Sequence, residues 1–188
     1  MSNNRRFRTI DIVMIALFAA IIAVCAWITV PFGSIPFTLQ VLGVFLALTV
    51  LGGRNGTISV CVYILMGAIG LPVFSGFQAG FGVLAGVTGG YIVGFVFSGL
   101  VYWLITSLVK SDRVWVRVVA LLASLVVCYA FGSVWFMIAY AAKTGAIGIG
   151  SVLMMCVVPY IIPDLAKLAV AMLISEAVRR RVKVGEKK

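Results

Sequence analysis

Histidine is absent from this 188-residue chain, and acidic side chains number only five. The first absence removes imidazole acid–base chemistry and the commonest metal ligand. The second leaves no two carboxylates at catalytic spacing, so no enzymatic activity and no cofactor are expected. Charged residues of both signs make up 11% of the chain, against about a quarter in soluble domains. A water-soluble fold is thereby excluded. The four cysteines, Cys25, Cys61, Cys128 and Cys156, stand singly in apolar runs without a C-x-x-C spacing. They read as small buried hydrophobes rather than metal ligands or a disulfide framework. No G-x-x-x-x-G-K-[ST] sequence occurs, so the chain does not hydrolyse ATP through a P-loop. An H-E-x-x-H motif, a T-V-G-Y-G filter and an arginine-rich span are also missing. The two halves show no internal repeat.

What remains is apolar: 63% of the residues are hydrophobic. Lipid must be the solvent for so much apolar surface. Six stretches are candidate spans, approximately 10–30, 37–52, 57–71, 89–109, 116–141 and 149–177. The expected fold is an all-α membrane protein, a single integral domain of six transmembrane helices over residues 1–188. The formal charge of +10 does not call for nucleic acid, because the basic residues cluster at segment ends. Arg5, Arg6, Arg8, Arg54, Lys110, Arg113, Arg117, Arg179, Arg180, Arg181, Lys183, Lys187 and Lys188 fall on one side of a six-span arrangement, 13 of the 15 basic residues. The positive-inside rule then places both termini in the cytoplasm of a multi-pass cell-membrane protein. The opposite connectors, near 31–36, 72–88 and 142–148, are nearly uncharged. The second is long for a helix–helix connection. Its Phe74, Phe77, Phe81 and Leu84 argue for a packed cover over a binding site rather than a loose loop.

Chemistry concentrates in the last span, Pro159-Tyr160-Ile161-Ile162-Pro163-Asp164-Leu165-Ala166-Lys167. Asp164 and Lys167 are three residues apart and share one helix face. Lys167 precedes Arg179 by roughly 18 Å of helix, near mid-membrane depth. Charges there are costly and by default functional. The two prolines bend or break the helix around them. Such a pair suits a ligand with adjacent donor and acceptor atoms: Asp164 accepts N–H groups and Lys167 donates to a carbonyl or carboxylate. A structural ion pair is the simpler alternative. A proton-coupled secondary transporter of a small polar solute, working through Asp164 and Lys167, is the competing functional reading. Thr38, Gln40, Ser75, Gln78, Thr88 and Tyr91 are polar residues near the uncharged side and candidate ligand contacts. Gly82, Gly86, Gly90 and Gly94 recur at spacing four, and Ala16, Ala19, Ala20 and Ala23 line one face of the first helix; both patterns permit close helix packing, and the alanines could instead dock a membrane partner.

Four segments carry a family resemblance. Pro36-Phe37-Thr38-Leu39-Gln40, the run from Gly67 to Gly76, Thr88-Gly89-Gly90-Tyr91 with Gly94-Phe95, and Ile162-Pro163-Asp164-Leu165-Ala166-Lys167 resemble the BioY family, whose members are the biotin-specific S components of energy-coupling factor (ECF) transporters. The resemblance spans nearly the whole chain. It departs at Val87, where members often carry proline. It implies an S-component bundle with a biotin site open to the outside, biotin being the transported ligand and no cofactor being needed. Asp164 and Lys167 would hold the ureido ring, and Gln78 and Tyr91 would lie toward the valerate carboxylate. Phe74, Ser75, Thr38 and Gln40 complete the expected contacts. The alanines Ala16, Ala19, Ala20 and Ala23 would dock on the ECF transmembrane coupling subunit, with two ATPase subunits supplying the energy.

Overall fold

The structure is a computed structural model and describes residues 8–31, 36–111 and 113–181. Arg5, Arg6, Lys183, Lys187, Lys188 and the middle of the 31–36 connector lie outside those residues. The side chains of Lys143, Arg180 and Arg181 are likewise outside the description.

Helix α1 (Thr9–Trp27) leads into a two-residue strand β1 (Thr29–Val30), which pairs antiparallel with β2 (Phe37–Thr38). Helix α2 follows (Gln40–Ala68), then a 3-10 turn at Ser75–Phe77 and the short α3 (Phe81–Leu84). The remaining helices are α4 (Gly89–Val109), α5 (Val114–Thr144), α6 (Ile149–Cys156) and α7 (Val158–Arg181). Helices α1, α2, α4 and α5 are each long and apolar enough to cross a membrane. The α6–α7 pair adds a fifth crossing if counted as one span bent by 42°.

Helix α2 covers the second and third expected spans, but it is not straight. Gly52 has φ +81° and ψ 167°, outside the helical region. Only glycine occupies that region at little cost. Gln40 donates to the Tyr63 hydroxyl at 2.9 Å, although 23 residues of straight helix would separate them by roughly 35 Å. Gly56 lies against the backbone of Ala47 and Leu48. The chain therefore reverses at Gly52, and α2 is a helical hairpin with arms Gln40–Leu51 and Gly53–Ala68. The connector expected between the two spans shrinks to one glycine because its φ alone supplies the reversal.

The hairpin is the hub: α1, α4 and α7 all pack on it. Ser59 donates to the Ile15 carbonyl at 2.8 Å, joining it to α1. Helices α4 and α5 lie antiparallel. Two bonds tie them, Ser98 Oγ to the Ser124 carbonyl at 2.8 Å and Ser124 Oγ to the Ser98 carbonyl at 2.9 Å. Of the glycine series, Gly90 and Gly94 sit in this interface against Trp135 and Cys128. Gly82 and Gly86 belong to the preceding loop. Val87 packs with the small cluster of Phe136, Val152 and Cys156 beside it.

The outer surface is inverted relative to a soluble protein. Ile162, Leu173 and Leu108 are more than 70% exposed, while Arg117, Asp164 and Lys167 are buried. Burying charge and exposing leucine is unfavourable in water and natural in hydrocarbon. The start of α1, the Gly52 reversal, the α4–α5 connection and the end of α7 gather at one end of the bundle. Gly53 packs on Trp103 there, and Arg117 forms an ion pair with Glu176. Arg8, Arg54, Lys110, Arg113 and Arg179 all lie in or next to these segments. The opposite end holds the loop from Pro72 to Thr88. That loop is fastened rather than loose. Trp27 Nε1 donates to the Pro72 carbonyl at 2.8 Å, and the Trp27 ring stacks on Phe77 at 5.2 Å. Trp135 Nε1 donates to the Gly86 carbonyl at 3.0 Å from the other side. Of the loop's large apolar residues, Phe74 and Leu84 are buried and Phe77 and Phe81 exposed.

Candidate functional site

Proline shapes the segment that builds the site. Pro163 lies inside α7 and has no N–H, so the carbonyl one turn earlier loses its helical donor. Val157, with φ −121° and ψ −59°, breaks the helix just before. The new helix presents Tyr160, Asp164 and Lys167 at spacing i, i+4, i+7 on one face. Helix α5 contributes Leu125, Cys128 and Tyr129 at i, i+3, i+4, and α4 contributes Tyr91, Ile92 and Phe95 at i, i+1, i+4. Thr38 of β2 and Gln40 and Val41 at the start of α2 close the third side. Ser75, Pro36, Thr88 and Cys156 complete the lining. The cavity measures about 100 Å³ as room for the centre of a water molecule. One water needs roughly 10–15 Å³ on that measure, so the space suits a small organic molecule rather than a lone ion.

The charge pair sits in its wall. Lys167 Nζ donates to Asp164 Oδ1 at 2.7 Å, and the Tyr129 hydroxyl donates to Asp164 Oδ2 at 2.6 Å. The Lys167 ammonium also lies 4.0 Å from the centroid of the Phe37 ring, a cation–π contact worth about 0.5–2 kcal/mol. Asp164 is 3% exposed and Lys167 6%. Each buried ion costs several kcal/mol in desolvation, which the pair offsets only with good geometry and further hydrogen bonds. An ionised carboxylate has about four acceptor positions and an ammonium three donors. Both groups thus retain hydrogen-bonding capacity beside the cavity.

Seven of the residues singled out in the sequence line this cavity: Asp164, Lys167, Tyr91, Thr38, Gln40, Ser75 and Thr88. They come from α7, α4, β2, α2 and the long loop. Gln40 is also bonded to Tyr63, whose hydroxyl donates to the Val73 carbonyl at 3.2 Å. Ser75 Oγ bonds Thr29 Oγ1 at 3.0 Å, linking the loop to β1. Tyr91 bonds Ser133 at 3.3 Å. Two residues lie elsewhere. Phe74 is fully buried edge-on to Tyr63, 5.7 Å between centroids. Gln78 is exposed, and its backbone carbonyl accepts the Phe74 N–H at 3.0 Å. The loop turns between them, so neighbours in sequence face core and exterior.

Tyr129, Tyr160, Phe95 and the two cysteines were not anticipated in the site. Their signal is faint: they are scattered over α4, α5, α6 and α7 and come together only once the helices are paired. The four alanines also divide. Ala19 and Ala23 are buried in the core, and only Ala16 and Ala20 are exposed. At 100° per residue the four span a stripe about 100° wide, and the edge of the α1–α2 contact cuts through it.

Comparison with known proteins places this architecture. The fold matches the crystal structure of the S-component for biotin from an ECF-type ABC transporter, with TM-score 0.81, 96% of this chain and 95% of that chain covered, and 24% identity. The fold is therefore that of an S-component. The BioY family model matches residues 1–184, and the chain belongs to the BioY family. It is 40% identical to the biotin transporter BioY of Thermotoga maritima, covering 88% of this chain and 93% of that one. The probable biotin transporter BioY of Pyrococcus horikoshii is 36% identical, with 88% and 94% covered. The biotin transporter BioY of Rhizobium etli is 37% identical, with 90% and 93% covered. These are transporters and not enzymes, in agreement with the family resemblance of the four sequence segments.

Proposed function

We propose that this chain is the biotin-capturing S subunit of an ATP-driven ECF importer, loading its ligand from the extracellular side. The observation that carries the reading is the buried Asp164–Lys167 pair in the wall of a cavity within a BioY-family fold. One edge of biotin's cyclic urea presents an N–H and a C=O side by side. Asp164 accepts the first and Lys167 donates to the second, a complementarity of donor and acceptor that a carboxylate or ammonium alone would lack. Tyr91, Thr38, Gln40 and Ser75 line the path for the ring and tail. Gln78 and Phe74 serve the loop that covers the cavity, Phe74 as its anchor and Gln78 on its outer side.

The hairpin at Gly52 supports six passes: α1, two arms of α2, α4, α5 and the bent α6–α7 pair. An even number returns the chain to its starting side. The basic end then faces the cytoplasm with both termini, and the Pro72–Thr88 loop faces outward. Ala16 and Ala20, exposed on α1, form the small-residue surface for the transmembrane coupling subunit. Two ATPase subunits supply the energy, since the sequence has no P-loop of its own.

The test is a biotin titration of the purified chain in detergent, followed by tryptophan fluorescence, beside Asp164→Asn and Lys167→Ala variants. Saturable one-to-one binding at nanomolar concentration, lost in both variants, is expected. Unchanged affinity in both would overturn the site. Biotin uptake by the chain alone in liposomes, driven by a pH gradient, would overturn the ATP-dependent assignment.

A further inference from the structure

The two oxygens of the Asp164 carboxylate are held from two different helices. Lys167 bonds Oδ1 but stands three residues further along α7 itself, so it moves with Asp164 and cannot fix the carboxylate relative to the cavity. Tyr129 bonds Oδ2 at 2.6 Å from α5. Its section of α5 is tied to α4 on either side. Ser98 and Ser124 bond α4 and α5 reciprocally just before it, and Cys128 Sγ bonds the Tyr91 carbonyl at 3.7 Å beside it.

We propose that Tyr129 is a positioning residue that determines selectivity for ligand N–H groups. Its hydroxyl fixes the plane of the Asp164 carboxylate against the α4–α5 pair. With one lone pair of each oxygen occupied by Lys167 and Tyr129, the remaining acceptor positions are aimed at the ligand. A ligand that brings N–H donors completes the carboxylate's hydrogen bonds. A ligand with methylated nitrogens leaves a buried carboxylate short of partners and is rejected. The inference rests on the biotin reading for its ligand, but not for the carboxylate geometry.

The experiment compares the full-length chain with its Tyr129→Phe variant, which keeps the ring and removes only the hydroxyl. Two probes are titrated: biotin, and a biotin analogue methylated on both ureido nitrogens. About a tenfold loss of biotin affinity is expected, with less than a twofold change for the analogue, so that discrimination narrows. Equal losses for both probes, or no change for either, would overturn the selectivity role. The infrared carboxylate band of ¹³C-aspartate-labelled protein, assigned to Asp164 with Asp164→Asn, supplies a ligand-free readout. A band shifted in Tyr129→Phe supports the positioning role even if the wild-type chain fails to bind biotin, which would overturn the biotin reading alone. An unshifted band overturns the positioning role.

Discussion

Two ion pairs of helix α7, Asp164–Lys167 and Arg117–Glu176, differ in nearly every physical respect. Asp164–Lys167 is a contact within one helix, with both side chains almost wholly buried, at 4% and 6% exposure. Arg117–Glu176 joins α5 to α7 at the basic end, where Arg117 is buried but Glu176 is 32% exposed. A contact between helices constrains how they pack. A contact within a helix adds little to what the helix has already set, and the inner pair meets other elements through the Tyr129 hydroxyl and the Phe37 ring. These differences set the pair proposed to serve ligand apart from the pair that joins two helices.

The largest effect should come from cutting the inner pair. Asp164→Asn leaves the buried Lys167 charge without its counter-ion, a cost of about 2–5 kcal/mol. Biotin affinity should fall by roughly two to three orders of magnitude by titration, with the helical circular dichroism of the wild type retained. The outer pair should respond the opposite way. Glu176→Gln is expected to lower the thermal midpoint in detergent through a loss of about 1–2 kcal/mol, less than a fully buried pair because Glu176 is partly solvated. Its biotin affinity should stay within threefold of wild type. A large affinity loss there would erase the distinction between the pairs. The smallest effect belongs to Phe37→Leu, which removes the ring over Lys167. A cation–π contact of about 0.5–2 kcal/mol corresponds to a biotin titration weakened about twofold to thirtyfold. No change would show that the inner pair is held by Asp164 and Tyr129 without help from β2.

Legibility in the sequence followed the range of the interaction. Asp164 and Lys167 were visible because charges inside an apolar run are conspicuous and their spacing of three is local. Tyr129 was not, because nothing in the α5 sequence says that it meets a residue 35 positions away. Ser75 and Gln78 look alike as polar residues of one loop, yet the positive φ of Gly76 and Phe77 between them turns one to the cavity and the other outward. The hairpin in α2 announces itself only as Gly52-Gly53, a sign shared by ordinary turns.

The amino-acid sequence by itself determined the solvent, the set of apolar spans, the clustering of basic residues at their ends and the central charge pair. These follow from composition and from periodicity within single helices, which require no partner. Only the tertiary structure decided that α2 doubles back at Gly52, that Ala16 and Ala20 face out while Ala19 and Ala23 face in, and that Tyr129 reaches the Asp164 carboxylate. Each of these depends on which helix lies against which. That choice is made by the summed packing of whole faces, to which any one residue contributes too little to be read alone.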